Sequence, residues 1–230
     1  MSSQEQLVFE LPHRPALEDV DFLVSDCNRE AVRLIDSWPD WPNGVHVITG
    51  PAGCGKSHLG NVWLLKSSGL RLARADLKVT GLDQLTGAGA LLLEDLHRGP
   101  IDETGLFHLL NLASEQGVSV LMTARKKPAQ WRVQLPDLTS RLRSLPVAMI
   151  GPPDDNLLSA VLLKQFLDRQ LNVEPNVIAF LAKRMERSMD AVRRLVVTLD
   201  REALAKGRRI TRQFAAEVLS RSNPGAKTNV

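Results

Sequence analysis

The stretch Gly50-Pro51-Ala52-Gly53-Cys54-Gly55-Lys56-Ser57 matches the spacing G-x-x-x-x-G-K-[ST] at every fixed position, and it follows directly on the apolar run Val45-His46-Val47-Ile48-Thr49. A chain with this spacing is committed to a buried strand, a tight loop and a helix in succession. Three glycines and a proline let the loop turn successive N–H groups inward onto phosphate oxygens, at the positive end of the helix that follows. Lys56 then reaches the β/γ-phosphates and the Ser57 hydroxyl is placed for Mg²⁺, with His58 one step further along. Leu59, Val62, Trp63 and Lys66 recur at helical spacing behind the loop. A Gly-rich strand-to-helix turn could match by chance, but the strand before and the helix after argue for nucleoside phosphate binding.

Apolar runs of strand length recur over residues 70–75, 90–93, 118–123 and 147–150, separated by enough chain for crossover helices. With residues 45–49 they predict an α/β fold, a doubly wound parallel sheet of about five strands. Asp102 is placed to cap a helix whose Leu106, Leu109, Leu110 and Ala113 fall at i, i+3, i+4 and i+7. Gly151-Pro152-Pro153-Asp154 ends the alternation, and only helical stripes follow. These stripes are built on Leu158, Leu162 and Phe166; on Val177 and Leu181; on Val192, Leu195, Val196 and Leu199; and on Phe214 and Val218. The expected organisation is an extended tail over residues 1–20, a nucleotide-binding core over 21–153, a small α-helical lid over 154–222 and a disordered tail over 223–230.

At 230 residues, with 43% hydrophobic and 24% charged side chains, the chain can bury a full core and a smaller accessory unit. Its longest apolar runs are strand-length and its start carries neither a basic nor a long apolar segment, so no membrane span or export signal is expected. Cys27 and Cys54 make no disulfide framework, which suits a reducing cytoplasm. The net charge is +3, and the many arginines between Arg184 and Arg221 are expected to face solvent. Tyrosine is absent and aromatics make up 4%, which argues against the stacking platforms of single-strand binders.

A phosphate loop needs an acid near Mg²⁺ and a group that orients water, ordinarily at the end of a neighbouring buried strand. Ala90-Leu91-Leu92-Leu93-Glu94-Asp95 offers both, with Glu94 at the metal-associated position and Asp95 at the water-orienting one. The same acids could simply terminate a strand. Their order reverses the usual Asp-then-Glu, which leaves the shorter carboxylate to reach the water, so efficient hydrolysis in isolation is not expected.

Three strings extend this pattern into a family likeness: Phe22-Leu23-Val24-Ser25-Asp26-Cys27-Asn28-Arg29-Glu30-Ala31, Leu135-Pro136-Asp137-Leu138-Thr139-Ser140-Arg141-Leu142, and Val192-Arg193-Arg194-Leu195-Val196-Val197-Thr198-Leu199-Asp200-Arg201. Together with the phosphate loop they resemble the DnaA-related AAA+ ATPases of the Hda type, over residues 6–219. The resemblance implies an adenine nucleotide, with ADP as the working state and ATP as the alternative, held by Phe22, Leu23, Val24 and the loop. It implies Mg²⁺ at Ser57 and Glu94, an arginine finger at Arg141 and a lid arginine, sensor 2, at Arg193. From the residues alone, Arg141 reads equally as a solvated helix charge, and Arg193 as a snorkelling side chain beside Val192 and Leu195. Thr123-Ala124-Arg125 stands where the family offers a polar or acidic sensor of the γ-phosphate: Thr123 keeps that role as an expectation, and Arg125 takes the acid's place.

Gln6-Leu7-Val8-Phe9-Glu10-Leu11 resembles the family's peptide for the DNA polymerase III sliding clamp, a glutamine followed by bulky apolar anchors. An edge strand alternating Leu7, Phe9 and Leu11 is the competing reading. The chain ends soon after its last helical stripe, so no helix-turn-helix reader is expected and DNA is expected to be met through the clamp. The expectation is a cytoplasmic regulator of replication initiation that carries nucleotide, docks on the clamp and presents Arg141 to ATP held by DnaA; self-association stays open. A helicase-loader ATPase similar to DnaC and a DnaA-related adaptor without effect on hydrolysis are the alternatives.

Overall fold

The computed structural model describes residues 23–77, 87–96 and 99–222. Contacts divide it into two units, Cys27–Gly151 and a second made of the described residues before Cys27 with those from Pro152 onward. None of the described helices is long and apolar enough to cross a membrane.

In the first unit the chain runs α1 (Arg29–Asp36), β1 (Val45–Thr49), α2 (Lys56–Ser67), β2 (Leu70–Leu72), β3 (Ala90–Leu93), α3 (Glu103–Gln116), β4 (Ser119–Ala124), α4 (Pro136–Ser144) and β5 (Val147–Met149). The strands form one parallel sheet in the order β2-β3-β4-β1-β5. Every residue of β1 and β3 is buried, as a parallel strand covered on both faces requires. Pleating then sorts their side chains. Val45, Val47, Leu91, Leu93, Val120 and Met122 join Leu106, Leu109 and Leu110 of α3 and Leu138 and Leu142 of α4 in one core. Leu92 points the other way, against Gly60 of α2, where an added Cβ would sit 3.0 Å from its methyl.

Three polar devices fix the helices. Lys66 donates to the carbonyls of Ile35 and Asp36 at 3.1 and 2.9 Å, tying α2 to the last turn of α1. Asp102 caps α3 as its spacing predicts, accepting from the Gly105 amide at 2.9 Å. Beside it the Glu103 carboxylate accepts from the amides of Gln134 and Leu135, the entry to α4, at 2.8–2.9 Å.

The strand limits depart from the expected ones. The second strand, expected over 70–75, stops at Leu72, because its sole neighbour β3 ends at Leu93 and the pair Leu72↔Leu93 is the last rung. The chain then enters a single 3₁₀ turn, Arg74–Asp76. The fourth strand is displaced by one residue, to Ser119–Ala124, and the fifth stops at Met149, although the Ile150 amide still donates to the Thr49 carbonyl at 2.7 Å.

The second unit is a helical cluster of α5 (Asp155–Leu167), α6 (Pro175–Ala182), α7 (Met189–Lys206) and α8 (Arg212–Ser222). Asp154 and Ser188 cap α5 and α7, accepting from the amides of Leu157 and Ala191 at 2.7 and 3.1 Å, and Gly207 ends α7 at φ +57°. Leu158, Leu162, Phe166, Val177, Leu181, Val192, Val196, Leu199, Phe214 and Val218 build its core, the stripes expected from the sequence. Phe166 and Phe214 are fully buried, each side chain contributing about 1.5–3 kcal/mol of transfer free energy.

Candidate nucleotide-binding site

The loop over residues 50–57 has the geometry that anion binding needs. Gly50 sits so close to the next strand that a Cβ would meet the Ile150 carbonyl at 2.4 Å, and its own amide donates to the Ala124 carbonyl at 3.2 Å. Gly53 and Gly55 adopt φ +68° and +105°, open to glycine at no steric cost. Gly55 is also the N-cap of α2 and offers no side-chain acceptor, so the first amides of that helix are left for an anion.

Lys56 is 7% exposed, and its ammonium donates to the carbonyls of Gly50 and Pro51 at 2.8 and 2.7 Å, with the Cys54 sulfur at 3.8 Å. The charge is thereby held inside the loop by neutral acceptors, which a phosphate oxygen can outbid with a charge-assisted bond. Burial raises the Cys54 thiol above its ordinary pKa against the opposing pull of Lys56, so Cys54 packs as a small neutral side chain. Pro51, Ala52 and Ser57 are exposed, and His58 is half-buried at the start of α2. The loop thus fits a nucleotide's phosphates, with Ser57 free to offer its hydroxyl to a metal.

The acids behind the loop are more constrained than their sequence suggests. Asp95 takes φ +56°, which Asp tolerates, and its amide donates to the Thr123 hydroxyl at 3.2 Å. Thr123 is fully buried on β4, so its hydroxyl supports the turn that carries Asp95. The Glu94 carboxylate is paired through Oε2 with Arg71, which also engages the Asn61 side chain, while its Oε1 is buried without a partner. Sequence reasoning missed Arg71; the signal that could have found it is a cation at the middle of a three-residue strand beside the one that ends just before Glu94.

Arg141 lies elsewhere on this unit. Its guanidinium is exposed on α4, stacks over the Phe107 ring at 4.8 Å and donates to the Asn111 side chain at 2.5 Å, both on α3. Arg193 lies in the second unit on α7, 62% exposed, with Asp190 at 3.8 Å. Leu23 and Val24 are both half-buried, in the second unit. Phe22, the proposed clamp peptide Gln6, Leu7, Val8, Phe9 and Leu11, and the tail over 223–230 lie outside the described residues.

A phosphate loop opening a helix beneath a five-stranded parallel sheet of this order, followed by a helical lid, is the AAA+ fold. Residues 155–219 match the family described as Hda, lid domain. Domain III of the replication initiation protein DnaA from Thermotoga maritima superposes with a TM-score of 0.72, at 18% identity, over 87% of this chain and 94% of that one. AMPPCP-bound DnaA from Aquifex aeolicus gives a TM-score of 0.64 at 16% identity, over 79% of this chain and 64% of that one. The Thermotoga maritima RuvB Holliday junction branch migration motor gives 0.59 at 16% identity, over 78% and 61%. The chain spans less than two thirds of the last two. Residues 155–219 thus carry a lid of the Hda type, and the chain has the fold of DnaA domain III.

Proposed function

We propose that this protein is a negative regulator of replication initiation that binds adenine nucleotide at residues 50–57, docks on the polymerase sliding clamp through residues 6–11, and stimulates ATP hydrolysis on DnaA with Arg141. The observation that carries the reading is the Hda-type lid over residues 155–219 behind a core of DnaA fold.

Each residue has a defined task in this reading. The loop amides and Lys56 hold the β-phosphate, ADP being the working state and ATP the alternative. Mg²⁺, when bound, neutralises phosphate charge, with Ser57 as its protein ligand; Glu94 joins it only by leaving Arg71. That competition, with the turned-back Asp95, favours a protein that keeps its nucleotide over one that hydrolyses it. Arg193 contributes from the lid: its pair with Asp190 is exposed and worth about 0–1 kcal/mol, less than the roughly 1.5–3 kcal/mol of a bond to a charged phosphate.

Arg141 supports the finger role by its pose. It is exposed and has no carboxylate partner among the described residues, and the Phe107 ring and the Asn111 amide restrict its fork before any partner arrives. Set against the γ-phosphoryl group of ATP on DnaA, a guanidinium stabilises the charge that spreads over the equatorial oxygens as the bond to the leaving oxygen breaks.

The deciding experiment follows labelled ATP prebound to DnaA, with this protein and DNA-loaded clamp added singly and together. Hydrolysis should accelerate only when both are present. No acceleration would leave the adaptor reading, and turnover by this protein alone would favour the loader.

A further inference from the structure

The lid unit carries a cationic cleft that nucleotide binding does not use. Between Arg201 and Arg212 stand five cations, Arg201, Lys206, Arg208, Arg209 and Arg212, against the single acid Glu202. Glu202 is already shared by Lys206 and Arg221 at 3.0 Å each, and Arg208 reaches Glu217 only at 3.8 Å. Among the described residues, Arg184, Arg209 and Arg212 have no carboxylate partner.

These cations are held in place by rings. Arg184 and Arg212 lie 4.5 and 5.1 Å from the centroid of Phe180, and Lys206 and Arg208 lie 5.4 and 5.3 Å from that of Phe214. Cation–π contact fixes a guanidinium plane while leaving its donors free, which lowers the entropy lost when an oxyanion binds. Arg208, Arg209 and Arg212 line a cleft of about 560 Å³ together with Gln170, Asn172 and Asn176. Of its apolar lining residues, Ala203 and Ile210 are 9% and 7% exposed and Leu171 is half-buried, so an acidic amphipathic peptide finds a single accessible side chain to anchor its apolar side. Phe214 is fully buried and Phe180 is covered by two guanidinium groups, so no open ring offers itself to an unpaired base.

We propose that this cleft binds the phosphate backbone of duplex nucleic acid without reading its sequence. Positioned arginines with neutral amides beside them suit phosphodiester oxygens, and duplex presents the densest row of them. Glu174, whose carboxylate accepts from Asn176 at 3.1 Å, lines the same cleft and opposes binding.

The test is fluorescence anisotropy of a labelled duplex of arbitrary sequence with the full-length protein, over a salt titration. Affinity should fall steeply with salt, and single strand should bind more weakly. Arg209→Ala and Arg212→Ala should each reduce the slope of log K against log salt by about 1. Glu174→Gln should tighten binding. Among the described residues Arg209 has no side-chain partner to lose, so its variant should melt like the parent and keeps the test valid if Arg212→Ala disturbs Phe180. Unchanged duplex binding in Arg209→Ala would overturn the proposal, as would single strand binding as tightly as duplex. Equal affinity for polyglutamate would reassign the cleft to acidic protein segments.

Discussion

The guanidinium of Arg141 lies 4.8 Å from the centre of the Phe107 ring, so the candidate finger rests on the same helix whose Glu103 carboxylate fastens the start of α4. A contact of this kind at an exposed site is worth about 0.5–1 kcal/mol, enough to bias the pose and too little for the fold to depend on it. Arg141→Ala should therefore leave melting temperature and nucleotide affinity unchanged, while DnaA hydrolysis loses its stimulation, roughly 10³–10⁵-fold for a finger of full effect. Arg141→Lys should rescue little, because one ammonium cannot reproduce the planar fork. Normal stimulation by the alanine variant would end the trans-activation mechanism.

Lys56 is the one side-chain cation shown inside the phosphate loop, and its present acceptors are two neutral carbonyls. Lys56→Ala should weaken nucleotide binding by at least about 1.5–3 kcal/mol, the scale of a charged hydrogen bond. Equilibrium titration with a fluorescent ADP analogue measures it, and unchanged affinity would remove the site assignment.

Arg71 and Glu94 should respond as a pair. Arg71→Ala leaves a carboxylate that is 17% exposed with no cation, at a cost of about 1–3 kcal/mol, and the lower half of that range applies because Arg71 is 44% exposed. Adding Glu94→Gln should recover part of the loss in denaturant unfolding. If Glu94 is the metal-associated acid, Arg71→Ala should also increase the Mg²⁺ dependence of nucleotide binding.

His46 provides a pH test independent of function. It is 5% exposed beneath Trp41, with ring centroids 4.5 Å apart, and burial lowers its pKa from 6.5 to about 4. As pH falls, the unfolded chain protonates this residue first. Stability is thus full above the unfolded value, declines as pH drops towards the folded one, and levels off below it. Between about pH 7 and about pH 5 the loss from this group should be about 2 kcal/mol. His46→Leu should flatten that slope in urea unfolding; an unaltered slope would show that other groups carry it.

The proposed clamp peptide gives a test of its own. Gln6→Ala with Leu7→Ala and Phe9→Ala should abolish clamp association in a pull-down on purified clamp and leave the melting temperature in place. A loss of several kcal/mol in stability, typical of core truncation, would instead place these side chains in the protein's own sheet.

The phosphate loop, the alternation of strands and helices, the Asp102 cap and the four stripes of the lid were legible because each depends on residues that are neighbours along the chain, where turn chemistry and periodicity act directly. What the sequence could not show is which elements lie side by side. Arg71 meets Glu94 because β2 pairs with β3, Thr123 supports Asp95 because β3 pairs with β4, and β2 ends early because it has a single neighbour to bond. Arg141 finds Phe107 and Asn111 because α3 and α4 cover the same face of the sheet. Local pattern determined that the chain would form a loop of phosphate-binding geometry; the order of the strands decided which charges stand beside one another behind it, because ion pairs form across the sheet between residues that periodicity treats as unrelated.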